Sequence, residues 1–207
     1  MYARVRTFDR ISPLVRDLTL ATLFAGLTAL GAQLAVRLPS SPVPITFQVL
    51  PVIGAGLVLG SRRGLISQLL YLSAGMMGLP VFAGGTGGPA VIFGPTGGYL
   101  LAFPVAAFAA RWLRERSKPG SWLGWLTASL IALAFIYGGG ASWLTVWLRA
   151  TSAPSLHAAL TGAWRLGIAP FFLADLAKAI LVVATVKGAH TQLIQWVGMD
   201  NLDLQPE

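Results

Sequence analysis

Cysteine is absent from the 207 residues, and Asp, Glu, Lys and Arg together make up only 11% of them. The first absence excludes disulfides and thiol chemistry, though it names no compartment. The second removes the charged surface that a soluble domain needs. Histidine is scarce as well: His157 and His190 lie far apart without clustered carboxylate partners. No protein metal site is therefore expected, and both read as loop or interface residues. There is no Walker-type glycine loop or Walker-B carboxylate, so the chain is not expected to hydrolyse ATP itself. No nucleophile elbow precedes a histidine and an acid in a usable order. The two halves also show no repeat of broken helices of the kind many secondary carriers have.

What is present is apolar. Hydrophobic residues make up 55% of the chain and the mean hydropathy is +0.70, values that describe an integral membrane protein. Apolar runs of roughly 17 to 25 residues, the length that spans about 30 Å of hydrocarbon as helix, alternate with short charged clusters. Reading between charges and Pro/Gly clusters predicts six helices, over 17–38, 45–60, 64–82, 96–113, 122–148 and 168–187. The expectation is an all-α bundle with a cytoplasmic segment at 1–16, a six-helix membrane domain at 17–190 and a cytoplasmic tail at 191–207. The fifth run contains Gly138, Gly139 and Gly140. It is expected to break there and continue as an interfacial turn carrying Trp143 and Trp147. The first run is too long for the apolar core of a signal peptide, and is expected to stay as the first span.

The net charge of +8 carries no basic stripe or aromatic reading surface for nucleic acid. Topology explains it better. With the N-terminus inside, cytoplasmic segments hold Arg4, Arg6, Arg10, Arg16, Arg62, Arg63, Arg111, Arg114, Arg116, Lys118 and Lys187, against Arg37, Arg149 and Arg165 outside. This asymmetry favours six spans with both termini in the cytoplasm. The outer connections 39–44 (PSSPVP) and 78–98 (GLPVFAGGTGGPAVIFGPTGG) are uncharged and rich in Pro and Gly. Non-helical backbone at membrane depth is tolerated where it lines a cavity, so both segments read as lids over a pocket opening outward.

The chemistry is expected at Asp175 and Lys178, the acid and base inside the apolar stretch from Ile168 to Val186. Residues three apart share a helix face. Each charge costs roughly 2.5 to 3.5 kcal/mol at membrane depth and usually marks a pathway or a site. A carboxylate only accepts and an ammonium only donates, so the pair suits a ligand with N–H donors and an acceptor or anionic group. Tyr71 and Gln68 are further polar residues inside predicted helices, and Asn201 falls in the tail on the wrong side. Thr46 and Gln48 follow the PVP turn, while Thr96 and Tyr99 follow the glycine-rich loop. Together these four describe polar lining at the depth of Asp175. Ala21, Ala25 and Ala29 recur at four-residue spacing, with Gly26 and Ala32 beside them. Such a face lets another helix approach closely in lipid, within the bundle or from a partner.

The motifs PVPITFQ at 42–48, LLYLSAGMMGLPVFAGGTGG at 69–88, GPTGGYL at 94–100 and APFFLADLAKA at 169–179 resemble those of the BioY family, biotin-binding S components of energy-coupling factor (ECF) transporters. The resemblance runs from about Ala21 to Lys187. It implies a six-helix S component of the prokaryotic inner membrane that binds biotin beneath the first and third outer loops. It also implies a transmembrane EcfT-type coupling subunit and two cytoplasmic ABC-type ATPases as partners, with ATP hydrolysis confined to the latter and no cofactor in this chain. The Ala21, Ala25 and Ala29 face becomes the partner interface, and Asp175 and Lys178 become ligand contacts. Asp175 can accept from the ureido N–H groups, and Lys178 can donate to the ureido carbonyl or pair with Asp175. Phe82, Phe93 and Tyr99 supply an apolar wall for the thiophane ring and valeryl chain. Lys178, Arg165 and the backbone N–H groups of the glycine loops are all candidates for the carboxylate. Family members often have glycine before the motif's Asp, where this chain has Ala174. Two other readings compete. One is a self-sufficient carrier or channel for a small amphipathic metabolite, acting as a homo-oligomer. The other is a membrane enzyme using Asp175 as general acid or base, disfavoured because no second catalytic group stands beside the pair.

Overall fold

The computed structural model describes residues 12–118 and 121–197, with side chains described as far as Gly188. The expectations for Arg4, Arg6, Arg10, His190 and Asn201, and for most of the two terminal segments, lie outside the described residues. The architecture is all-α, in the order α1 (Pro13–Gln33), α2 (Val49–Leu59), α3 (Ser61–Met76), α4 (Pro89–Phe93), α5 (Gly97–Glu115), α6 (Trp122–Thr151), α7 (Leu156–Gly167) and α8 (Phe172–Val197). Two isolated antiparallel bridges, Val36 with Ile45 and Phe82 with Thr86, pin the outer connections.

Ser12 caps α1 by accepting from the Val15 N–H at 3.3 Å, with Pro13 at the first helical position, where its missing N–H is not needed. α1 ends before the predicted 38 because the chain turns after Gln33. There Val36 and Ile45 exchange backbone hydrogen bonds of 2.8 and 2.9 Å, and the Phe47 N–H donates to Gly31 O at 3.0 Å. That pairing also delays α2 from the predicted 45 to Val49. α3 stops at Met76, short of the predicted 82, because Gly78 takes φ +95° and reverses the chain.

Small residues let these helices approach closely, as expected where lipid leaves packing to drive association. A Cβ on Gly56 of α2 would lie 2.0 Å from Ala107 O of α5, and one on Gly64 of α3 would lie 2.8 Å from the Gly56 Cα. The predicted break at Gly138–Gly140 does not occur: α6 runs unbroken through all three. These glycines form a contact surface instead. A Cβ on Gly139 would press on Ala102 Cβ of α5 at 2.9 Å, and one on Gly140 would strike the Tyr99 ring at 2.1 Å. A helix that hydropathy does not predict, α7, follows α6; Ser155 caps it by accepting from the Ala158 N–H, and it bends by 50° into α8 across a short break.

Among the described residues two helices, Pro13–Gln33 and Trp122–Thr151, are long and apolar enough to cross a bilayer, and the bent pair Leu156–Gly167 with Phe172–Gly188 makes a third if taken as one span. The charged clusters gather at one end of the bundle. Arg63 Nε pairs with Asp17 Oδ2 at 2.9 Å, Arg114 lies over the Trp125 ring at 4.6 Å, and Lys187 lies over Trp122 at 5.3 Å. Two connections, 34–48 and 77–96, face each other at the opposite end.

Candidate ligand cavity

Those two connections, with α5, α6 and the start of α8, enclose a cavity of about 570 Å³, within the range of small-molecule sites. Thr46, Gln48, Phe82, Thr96, Tyr99 and Asp175, all predicted site residues, line it. Phe82 is held by a dedicated recess. It is completely buried beside Gly75, where a Cβ would meet its ring at 2.1 Å, and it stands edge-on to Tyr71 with centroids 5.5 Å apart. Gln48 Nε2 donates to Tyr71 Oη at 2.7 Å, which fixes the Gln48 side chain on the cavity wall. Tyr99 Oη donates to Gly167 O at 2.8 Å, so the ring spans from α5 to the last turn of α7.

The charged pair stands in the first two turns of α8. Asp175 is 6% exposed and Lys178 8%. Lys178 Nζ donates to Asp175 Oδ1 at 2.7 Å and to the main-chain oxygen of Thr46 at 2.6 Å, and lies 5.3 Å from the Phe47 ring centre. The lysine therefore clamps the first outer connection onto α8 and does not line the cavity. The other carboxylate oxygen, Oδ2, accepts from Tyr137 Oη of α6 at 2.8 Å. Each carboxylate oxygen has a second lone pair, so Asp175 still offers acceptor capacity toward the cavity.

Tyr137 is a cavity residue that sequence reasoning misses. Nothing in its apolar run marks it, although a tyrosine hydroxyl in a membrane helix needs a polar partner, and the nearest predicted one was Asp175. Gln68 and Tyr71 lie deeper. Gln68 is bound to Thr28 of α1 at 3.2 Å and to Ser67 at 3.1 Å, and forms no part of the wall.

The BioY family model matches residues 3–195 of the sequence. The chain belongs to the BioY family. A probable biotin transporter BioY of Pyrococcus horikoshii is 42% identical over 168 residues, spanning 81% of this chain and 92% of that one. The biotin transporter BioY of Thermotoga maritima is 36% identical over 172 residues, spanning 83% of this chain and 93% of its own. A crystal structure of the S-component for biotin from an ECF-type ABC transporter superposes with a TM-score of 0.73 at 30% identity, over 86% of this chain and 93% of that chain.

In this BioY-family chain two expected positions fall away from where they were sought. Phe93 is 69% exposed and lies outside the cavity lining, because the single turn of α4 directs the buried Ile92 inward and its neighbour outward. It cannot form the apolar wall, which Val49, Leu100, Phe103, Ile136 and Phe171 supply beside Phe82 and Tyr99. Ala21 is 1% exposed and packed inside the bundle, so it presents no surface to another protein. Ala25 and Ala29 are half-buried against the core. Ala29 also lines a shallow apolar groove along α1 with Gly26, Leu23, Leu27 and Leu30, closed at one end by Pro80 and Val81. Arg165 is exposed and lines no part of the cavity.

Proposed function

We propose that this chain is the biotin-capturing S component of an ECF-type transporter, with the cavity as its binding site. The observation that carries the reading is the Asp175 carboxylate on the cavity wall, oriented by Lys178 on one oxygen and Tyr137 on the other. The ureido ring of biotin has two N–H donors and one carbonyl. In this reading Asp175, held in place by Lys178, accepts from the ring, and the second N–H of Gln48 donates to its carbonyl. Thr46 and Thr96 add hydroxyls along the wall. The thiophane ring and valeryl chain lie against Phe82, Tyr99 and Phe103. Names carried by the relatives support the ligand, since those proteins are named as a probable biotin transporter and a biotin transporter.

The chain works as a transport subunit and not as an enzyme. Energy comes from two cytoplasmic ABC-type ATPases through a transmembrane coupling subunit, which docks on the α1 flank beside Ala25, along the groove that Gly26 and Ala29 line. Six spans occupy 17–190, with α7 joined to α8, and the segments 1–16 and 191–207 lie in the cytoplasm of a prokaryotic cell. Gathering of Arg63, Arg114 and Lys187 at the end opposite the cavity supports this orientation.

Equilibrium binding of labelled biotin to the purified chain in detergent, after copurifying ligand is stripped, tests the reading. A biotin analogue altered at the ureido ring serves as the control. Stoichiometric binding that the altered ring abolishes is expected. Folded protein that binds neither compound would sink the assignment.

A further inference from the structure

Biotin carries its charge at the end opposite the ureido ring, and among the described residues one cation lines the cavity, Arg37. The neutral donors on the same walls are largely engaged. Ser41 Oγ donates to Leu166 O at 2.6 Å, Thr86 Oγ1 to Ala83 O at 3.1 Å, Tyr99 Oη to Gly167 O at 2.8 Å and Tyr137 Oη to Asp175 at 2.8 Å. Lys178 directs two of its three N–H groups to Asp175 and Thr46. Arg37, by contrast, has no ion pair and no hydrogen bond among the described residues.

The fold places this side chain deliberately. Termination of α1 at Gln33 and the Val36–Ile45 bridge hold residue 37 in extended chain at the cavity's rim. Across from it Gly84 takes φ +71°, and a Cβ there would lie 2.8 Å from Arg37 Nη2. The glycine-rich connection thus leaves room for the guanidinium. A guanidinium presents a planar fork of N–H groups that matches the two oxygens of a carboxylate. The cavity consequently has two chemically distinct ends, a buried acceptor at Asp175 and an exposed cation at Arg37.

We propose that Arg37 binds the carboxylate of the ligand at the mouth of the cavity, an inference that rests on the reading of biotin as that ligand. The test compares biotin with biotin methyl ester, which keeps the rings and loses the charge, on the wild-type chain, Arg37→Gln and Arg37→Lys in detergent. The wild type is expected to prefer the acid, and Arg37→Gln to lose roughly tenfold or more of its affinity for the acid while binding the ester as before. Arg37→Lys is expected to retain part of the preference, because it keeps the charge without the fork. Unchanged discrimination in Arg37→Gln would overturn the assignment of Arg37 and leave the biotin reading intact. Equal loss of both ligands would also overturn it, since Arg37 would then act on the cavity as a whole. A wild type that binds neither compound removes the biotin reading and this inference with it.

Discussion

At Asp175 a lysine and a tyrosine hydroxyl compete for the same carboxylate that a ligand would use, and the geometry lets all three coexist because each oxygen accepts twice. Asp175→Asn is expected to weaken biotin binding by about 1.5 to 3 kcal/mol, the range for hydrogen bonds to a charged group. The same change strips Lys178 of its counter-ion, and a buried unpaired charge is destabilising, so the variant should also melt at a lower temperature. Titrations made below that temperature separate the two effects, and wild-type affinity in folded protein would remove Asp175 from the site. The charged pair was legible in the sequence because charges are rare in an apolar run. Tyr137 was not, since 38 residues separate it from its partner and only packing of α6 on α8 brings them together. Phe93 shows the converse. An aromatic beside a glycine loop looks like a wall residue, and only the turn of α4 decides that Ala90 and Val91 line the cavity while Phe93 is exposed.

Hydropathy located the longer helices but not their ends, and glycine had two possible meanings that the sequence could not separate. In water three successive glycines weaken a helix by about 1 kcal/mol each relative to alanine. In lipid the same residues let helices close up, and in α6 they seat α5 and the Tyr99 ring. The consequence is a sharp contrast between neighbours. Gly140→Val should lower the melting temperature markedly and abolish ligand binding, because its side chain would occupy the volume of Tyr99. Gly138→Ala should be neutral or stabilising by roughly 0.5 to 1 kcal/mol, since a Cβ there meets nothing within 4 Å. Thermal unfolding in detergent with parallel binding assays checks both, and equal effects at the two positions would restore the reading of the triplet as a break. α7 escaped notice because it is a 12-residue helix, too short to span alone, beginning after a loop and ending at Gly167.

Across the whole molecule, the proposed function divides between two ends and one flank. The α1 groove offers Gly26, whose added Cβ would meet nothing within 4 Å of this chain. Gly26→Leu should therefore leave biotin binding unchanged and depress uptake in cells that supply the coupling subunit and ATPases. Uptake at the wild-type level would move the partner surface off α1. The absence of cysteine gives a direct test of orientation. Single cysteines at Ser40 and at Ser117 should label with an impermeant maleimide from opposite sides, Ser40 in intact cells and Ser117 only after permeabilisation. The general plan of helices and lids was readable from the order of apolar runs and Pro/Gly segments. The depth of each lid residue was not, because it depends on tertiary contacts such as the clamp of Lys178 on Thr46.

The last turn of α7 holds two such contacts on adjacent carbonyls: Ser41 Oγ of the first connection binds Leu166 O, and Tyr99 Oη of α5 binds Gly167 O. One belongs to a short loop and the other to a buried helix, so they differ greatly in how readily they let go. Releasing Ser41 sacrifices a neutral hydrogen bond of about 0.5 to 1.5 kcal/mol and returns a serine and a carbonyl to water. Releasing Tyr99 disturbs helix packing, because its ring is also seated against Gly140 of α6. In the proposed reading, lifting the first connection must also part Lys178 from Thr46 O, so the charged contact and not Ser41 sets how readily that loop lets a ligand pass.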